Sequence, residues 1–259
     1  MLIDTHCHLY AAEFEQDLNE MLERAEVAGV KFFMLPNIDS SSIGSMLSLC
    51  RQHPCSLYPM MGLHPCSVKE NWNEELHSIE KLLFQEKLHT FYGIGETGLD
   101  FYWDKTFMAE QKENFQQHII WAKQLRLPLI IHSREALGDC IEMIKKNKDE
   151  SLTGIFHCFS GNSSEARQIT DMGFYLGIGG VITFRNSGLD KVLKDIPLSH
   201  IVLETDSPYL APAPFRGKRN ESSYLKIIVK KISEIKNVPE EEVARITTEN
   251  AIRVFKLLL

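Results

Sequence analysis

His6 and His8 flank Cys7 at the end of a short apolar run that begins close to the first residue. Side chains at alternate positions of an extended strand point to the same face, so the two imidazoles are expected side by side. Two neutral imidazoles on one face form half of a site for a divalent metal ion. Two structural histidines that happen to alternate would give the same pattern, so this pair alone leaves both interpretations open.

Further histidines and acids follow later apolar runs of the chain. They are Glu96 after the fourth run, His132 after the fifth, His157 after the sixth and Asp206 after the eighth. Burying so many titratable groups without a partner costs several kcal/mol. A divalent cation removes that cost because it satisfies neutral imidazoles and ionised carboxylates together. The recurrence therefore predicts a metal centre.

The candidate ligands outnumber what one tetrahedral site needs, so we predict two divalent ions. Glu96 is the expected bridge, because a carboxylate offers one oxygen to each ion and the fourth strand of a closed ring faces the first. The predicted ligands are His6, His8, Glu96 and Asp206 for one ion, and Glu96, His132 and His157 for the other. Imidazoles tolerate Zn²⁺ and carboxylates allow Mg²⁺ or Mn²⁺, so the identity of the metal stays open.

The elements that must position these residues alternate between short apolar runs and longer amphipathic stretches. The predicted strands are Leu2–Thr5, Lys31–Leu35, Leu57–Met61, Phe91–Ile94, Leu129–Ile131, Thr153–Phe156, Phe174–Gly177 and Ile201–Leu203. The predicted helices are Asp17–Ala28, Leu76–Glu86, Phe107–Leu125, Ala136–Lys146, Ser163–Met172, Leu189–Lys194, Glu221–Ile235 and Glu240–Leu258. Strand–helix alternation predicts βαβ units in the α/β class, with a parallel sheet.

Eight such repeats favour a closed (β/α)8 TIM barrel, which typically needs about 250 residues. An open doubly wound sheet would favour a glycine-rich phosphate loop after the first strand, and His6-Cys7-His8 stands there instead. In a barrel the active site lies at the carboxyl ends of the strands, where the candidate ligands occur. No linker-like stretch divides the 259 residues, so we expect one domain over residues 1–259.

The overall composition restricts the partners of the protein. A net charge of −7 argues against a surface that attracts polyanions as a whole, so a nucleic-acid substrate would depend on local bases or bound metal ions. The six cysteines form no CxxC pair, no signal peptide precedes the first strand, and no apolar run reaches the roughly 18 residues of a membrane span. We expect a cytoplasmic protein with reduced thiols, no membrane association and no obligate protein partner.

Six blocks of sequence carry a resemblance to a known family. They are Ile3–His8, Gly62–Pro65, Gly95–Asp100, Ile131–Arg134, Phe156–Gly161 and Glu204–Leu210, in the order of that family and over nearly the whole chain. The chain resembles the TatD-type metal-dependent deoxyribonucleases. This resemblance implies an amidohydrolase-like barrel, hydrolysis of phosphodiester bonds in DNA with exonuclease action on single strands, and metal ligands at the six residues assigned above. Ser222 stands where the family usually has a proline, which we expect to alter only a helix start.

Three acids are the expected catalytic residues of that reaction. Asp206 would orient the attacking water or accept its proton, provided that one of its oxygens stays free. Glu96 acts as the bridging ligand. Glu204 lies two residues before Asp206, so both side chains should point to the same face of the strand. Glu204 either adjusts the properties of the neighbouring metal ligands or forms a salt bridge to a nearby base.

Two residues on the same rim are expected to bind the substrate. His64 follows the third strand and would contact the scissile phosphate or the leaving group, unless it is only a turn histidine fixed by Pro65. Arg134 could clamp a phosphate with two hydrogen bonds, or pair with Glu135 or Asp100 instead.

Two further features lie in the loops of this rim. Arg216, Lys218 and Arg219 form a basic run after the eighth strand, which is either solvated surface or a nucleic-acid contact. Phe101, Tyr102 and Trp103 either pack or stack on an unpaired base.

Two other functions remain open at the level of the sequence. A metal-dependent amidohydrolase that acts on a small amide, lactone or ester fits the His-x-His pair and the late aspartate equally well. Glu96 stands where many such enzymes place a modified lysine, which favours the nuclease. A metal-binding barrel that serves only as a scaffold would have complete ligands and no pocket above them.

Overall fold

Parallel strands alternate with helices along residues 1–85 and 89–258, which are the residues that the computed structural model describes. The strands are β1 (Leu2–Asp4), β2 (Val30–Pro36), β3 (Leu57–Met60), β4 (Ile94–Asp100), β5 (Leu129–Arg134), β6 (Gly154–Phe156), β7 (Tyr175–Ile178) and β8 (Ile201–Leu203). The helices are α1 (Leu18–Val27), α2 (Ser40–Gln52), α3 (Trp72–Phe84), α4 (Met108–Leu125), α5 (Leu137–Asn147), α6 (Ser163–Asp171), α7 (Leu189–Asp195), α8 (Leu225–Lys236) and α9 (Glu240–Phe255). Short 3₁₀ helices lie at Ala12–Phe14, Pro65–Ser67, Gly180–Thr183, Leu198–His200 and Ser222–Tyr224.

Backbone pairing joins the strands into two arcs that close on each other. β1 to β3 form one arc and β4 to β8 the other, with parallel neighbours throughout. Parallel bridges between Met61 and Ile94 and between Cys7 and Ser207 connect the arcs. The N–H of His8 also donates to the carbonyl of Ser207 at 2.7 Å. The predicted closed barrel of eight strands is therefore confirmed.

A buried carboxylate fastens the first strand to the last. Oδ1 of Asp4 accepts the N–H of Thr205 at 2.9 Å, and Oδ2 accepts the hydroxyls of Thr205 and Ser222 at 2.6 and 2.7 Å. Burial outweighs these hydrogen bonds and raises the pKa of Asp4 to about 7. The expectation that Ser222 affects only a helix start is therefore incomplete, because its hydroxyl also takes part in closing the ring.

Inward-facing apolar side chains fill the lower part of the barrel and pack against α9. This cluster contains Ile3, Met34, Met60, Ile130, Ile155, Val202, Ala251, Val254 and Phe255. Three of its members lie two positions before His132, His157 and Glu204. Because side chains alternate along a strand, the packing of this cluster aims those polar side chains into the same lumen.

Two strands are placed differently from their prediction. β4 begins where the predicted strand Phe91–Ile94 ends, and β5 continues three residues beyond its predicted end at Ile131. Glu96 and His132 therefore lie within strands rather than after them. The ladder persists because Gly98 pairs with His132, and a Cβ at that glycine would come within 2.1 Å of the His132 carbonyl oxygen. Polar side chains interrupt the apolar pattern while the backbone pairing continues.

Two helices also differ from the sequence-based expectation. Helix α2 was not predicted, because its serine-rich start carries few apolar residues; Asp39 caps it by accepting the N–H of Ser41 at 3.0 Å. Helix α3 begins four residues before the predicted Leu76, and its predicted end at Glu86 lies outside the described residues. In the part of the chain that is described, no helix is both long and apolar enough to cross a membrane.

Candidate metal centre

An open mouth of about 560 Å³ lies at the carboxyl ends of the strands. The side chains predicted as metal ligands converge at this mouth or directly beneath it. They are His6, His8, Glu96, His132, His157 and Asp206. Three clusters among the described residues bring donor atoms within 4.8 Å of one another, and each includes at least one of these six.

Glu96 lies at the centre of the group, and its two oxygens face different histidines. Oε2 lies 3.1 Å from Nε2 of His6 and 3.7 Å from Nε2 of His8. Oε1 lies 2.9 Å from Nδ1 of His132 and 3.4 Å from Nε2 of His157. Each oxygen thus faces imidazoles that the other does not, which suits a carboxylate shared by two ions.

Asp206 completes the half of the site that contains the His-x-His pair. Its Oδ1 lies 3.5 Å from Nε2 of His8 and 3.7 Å from Nε2 of His6. The residue adopts a left-handed backbone conformation, with φ at 57°, which aspartate tolerates better than most residues. A hydrogen bond of 2.9 Å from its N–H to the carbonyl of His6 holds it against the first strand.

Hydrogen bonding to Tyr10 fixes which ring nitrogen of His8 carries the proton. The hydroxyl of Tyr10 donates to the carbonyl of Pro36 at 2.6 Å and therefore accepts from Nδ1–H of His8 at 2.8 Å. Nε2 is then unprotonated, as a metal ligand must be. Sequence reasoning missed Tyr10, although it continues the alternation of His6 and His8 by one step.

Asp100 fixes which ring nitrogen of His132 carries the proton. Its Oδ2 lies 3.0 Å from Nε2 of His132 and can only accept, so Nε2 carries the proton and Nδ1 keeps its lone pair. Nδ1 then faces Oε1 of Glu96 at 2.9 Å. Two acceptors at that distance repel each other unless a proton or a cation lies between them. Oδ1 of Asp100 also accepts the N–H groups of Tyr102 and Trp103, so the aspartate supports a loop turn and His132.

Glu204 is buried behind His157. Its Oε1 lies 3.1 Å from Nδ1 of His157 and accepts the N–H of Cys158 at 2.6 Å. Gly177 makes room for this carboxylate, because a Cβ there would come within 2.2 Å of Oε2. Glu204 therefore contacts a predicted ligand, which in turn stacks on His6 with ring centroids 3.6 Å apart.

The electrostatics of the site favour a bound cation. Burial lowers the pKa of His157, but Glu204 and Glu96 outweigh it and raise that pKa to about 10. Burial also disfavours the ionised form of Glu96, yet His64, His6 and His157 hold its pKa well below the usual range. Nδ1 of His6 and Oε2 of Glu204 are buried without a hydrogen-bond partner. Nitrogen and oxygen donors with ionised carboxylates fit Zn²⁺, Mn²⁺ or Mg²⁺.

His64 faces the site as a hydrogen-bond donor. Its Nδ1 accepts the N–H of Cys66 at 3.1 Å, so in the neutral ring the proton lies on Nε2. Nε2 lies 3.3 Å from Oε1 of Glu96. The histidine thus caps the 3₁₀ helix that begins at Pro65 and also presents an N–H to the mouth, so its place in the turn is compatible with the predicted contact to substrate.

Arg134 lines the mouth and stacks on two aromatic side chains. Its guanidinium carbon lies 3.9 Å from the ring centre of Tyr102 and 5.0 Å from that of Trp103. Within residues 1–85 and 89–258 it forms no ion pair, so neither Glu135 nor Asp100 neutralises it. Stacking uses the faces of the guanidinium and leaves its N–H edges for an anion.

Comparison with known proteins gives a consistent result. The family model described as "TatD related DNase" matches residues 3–256. The chain is 41% identical to the metal-dependent hydrolase YabD of Bacillus subtilis, over 99% of this chain and 100% of that protein, and 33% identical to the metal-dependent hydrolase TatD of Mycobacterium tuberculosis, over 99% and 98%. The crystal structure of the TatD homologue YjjV of Escherichia coli superposes with a TM-score of 0.93 at 28% identity, covering 99% of this chain and 98% of that one.

Proposed function

The chain belongs to the TatD related DNase family of metal-dependent hydrolases, and on that premise we propose that it hydrolyses phosphodiester bonds of single-stranded DNA with two divalent ions at the mouth of the barrel. The observation that carries this proposal is that the two oxygens of Glu96 face different sets of imidazoles. A single ion would need only one of these sets. We further propose that residues 1–259 form one catalytic domain.

The proposed ligand sets follow the two oxygens of Glu96. His6, His8, Glu96 and Asp206 would hold one ion, and Glu96, His132 and His157 the other. When bound, such ions neutralise the oxygens of a phosphodiester and lower the pKa of water. Glu204, Asp100 and Tyr10 would orient the ligating histidines through the ring nitrogen that faces away from Glu96.

Asp206 is the proposed general base. Its contacts with the imidazoles run through Oδ1, which leaves Oδ2 to orient the attacking water and accept its proton. The side chain is 15% exposed, so water reaches it from the mouth. Burial opposes ionisation of Asp206, but the neighbouring imidazoles of His8 and His157 outweigh it and lower its pKa, which keeps the carboxylate ionised, as a base must be before it accepts a proton.

His64 and Arg134 are the proposed substrate-binding residues. His64 donates Nε2–H to the scissile phosphate or to the leaving oxygen. Arg134 donates from its free edges to the non-bridging oxygens of the same phosphate, a geometry that guanidinium and phosphate share. Both side chains line the open mouth, as binding of a phosphate there requires.

The open mouth above the ligands argues against a scaffold, which would have no cavity at this place. Hydrolysis of a small amide, lactone or ester remains the competing outcome of the test. Metal is removed from the purified protein with a chelator, and Mg²⁺, Mn²⁺ or Zn²⁺ is then added back. Cleavage of end-labelled single-stranded DNA is measured with each metal. We expect cleavage that depends on added metal, together with loss of at least about a hundredfold in kcat in Glu96→Gln and His132→Ala.

The matched control is His77→Ala, because His77 is an exposed histidine on α3 far from the ligands in sequence. It should retain the activity of the parent protein. Intact DNA under every metal, while a small amide, lactone or ester is hydrolysed by the same preparation, would move the protein to the amidohydrolase alternative.

A further inference from the structure

A second cavity, of about 660 Å³, adjoins the mouth across Val181, which lines both. Its walls come from the loop after β7 and the loop after β8. The lining side chains that matter for its chemistry are Phe184, Arg185 and Arg216. Its volume lies within the range of roughly 300–1,000 Å³ that is usual for ligand sites.

The lining of this cavity carries positive charge without compensation. Arg185 and Arg216 are both exposed, and among the described residues neither forms an ion pair with a carboxylate. No aspartate or glutamate of the described chain lines the cavity. The nearby Arg219 differs, because Asp17 binds it through two hydrogen bonds. In a protein with a net charge of −7, two unpaired guanidinium groups beside the candidate active site form a local anion-binding surface.

The cavity is held in shape by contacts between its two loops. The hydroxyl of Thr183 accepts the N–H of Ala213 at 2.8 Å and donates to the carbonyl of Gly180 at 2.7 Å. The guanidinium of Arg216 lies 4.6 Å from the ring centre of Phe184, so its face is occupied and its N–H edges are free. These contacts reduce the conformational entropy that the two loops would lose when a ligand binds.

We propose that this cavity binds a backbone phosphate of the strand next to the nucleotide being cleaved, with Arg185 and Arg216 as the donors. The inference rests on the proposed function and extends it to the length of the substrate. A strand whose scissile phosphate lies at the mouth would pass over Val181 and place a neighbouring phosphate between the two arginines. The preferred substrate is then a polynucleotide, because a dinucleoside monophosphate has no second phosphate to fill the cavity.

Binding can be measured without hydrolysis. Fluorescence anisotropy of a labelled 12-nucleotide single strand is recorded in EDTA at a series of salt concentrations. For Arg185→Ala/Arg216→Ala we expect affinity to fall on the order of tenfold and the slope of log K against log salt to become shallower by about 0.7 for each phosphate that the variant no longer neutralises. The matched control is Arg51→Gln/Arg253→Gln, which removes two exposed arginines from the last turns of α2 and α9 and should leave both quantities unchanged.

Kinetics with metal restored test the length preference. The ratio of kcat/KM for the 12-nucleotide strand to that for a dinucleoside monophosphate should fall about tenfold in the double arginine variant and stay constant in the control. Unchanged binding and an unchanged ratio would overturn the inference and leave the nuclease proposal standing. If the parent protein cleaves neither substrate, the nuclease proposal fails, and the anisotropy series alone decides whether the arginines bind the strand.

Discussion

Asp100→Asn tests whether the partner of the proposed ligand His132 sets the affinity of the metal centre. Asparagine has the shape of aspartate, and its amide oxygen can still accept the N–H groups of Tyr102 and Trp103, which lie 3.0 and 3.1 Å from Oδ1. Its amide nitrogen then takes the place of Oδ2, 3.0 Å from Nε2 of His132, and an NH2 group donates and cannot accept Nε2–H. The substitution therefore removes the hydrogen bond that fixes the tautomer of one imidazole while the loop is retained.

The expected size follows from the loss of a hydrogen bond to a charged acceptor. Such hydrogen bonds contribute about 1.5–3 kcal/mol. At about 1.4 kcal/mol for each factor of ten, metal affinity should fall on the order of 10- to 100-fold. This agrees with the roughly 10–100-fold effects found when such histidine partners are removed.

Isothermal titration of the stripped protein with Zn²⁺ or Mn²⁺ measures this affinity directly. Asp104→Asn is the matched control, because Asp104 lies in the same loop but pairs with Lys69 at 2.6 Å instead of with a histidine. It should bind metal as the parent protein does. Equal metal affinity in Asp100→Asn and in the parent protein would refute the role assigned to this carboxylate.

Two further predictions concern stability. Phe156→Ala removes a fully buried ring whose centroid lies 5.7 Å from that of Phe174. Urea denaturation should show that the free energy of unfolding falls by about 3–5 kcal/mol, and a fall below about 1.5 kcal/mol would contradict the packing described. Asp17→Asn should lower the free energy of unfolding at pH 6, because hydrogen bonds from Arg219 stabilise the ionised carboxylate and lower the pKa of Asp17 to about 2. The expected loss is at most about 1 kcal/mol, because the side chain of Asp17 is one-third exposed. Since the folded pKa lies below the usual value, that difference should shrink as the pH falls from about 4 towards 2, and a constant difference would contradict the ion pair.

The sequence is sufficient to predict the barrel because parallel strands buried on both faces appear as short apolar runs. β8 occurs where it was predicted, and the alternation of runs with amphipathic stretches gives the topology. β4 is the exception. Its glycines and buried polar residues break the apolar run, so only pairing with β5 reveals that Glu96 lies inside a strand.

The convergence of the candidate ligands follows from the barrel, but their detailed contacts do not. The contact between His6 and Glu96 joins residues 90 positions apart, and which oxygen meets which imidazole depends on the stagger of the closed ring. Asp100 and Tyr10 contact the ring nitrogens that face away from Glu96, and no spacing rule indicates such contacts. The cavity beside Arg185 and Arg216 depends on two loops meeting, since neither loop alone carries a recognisable motif.

The attachment of Asp4 to Thr205 and Ser222 spans separations of 201 and 218 residues. During synthesis, the amino-terminal histidines leave the ribosome long before the segment that carries Asp206 and the closing hydroxyls. An interrupted translation product that ends before this segment has an open sheet and an incomplete set of donors. The set of candidate metal ligands is therefore complete only after the segment that carries Asp206 has been synthesised, and we expect fragments that end before it to lack the full metal centre.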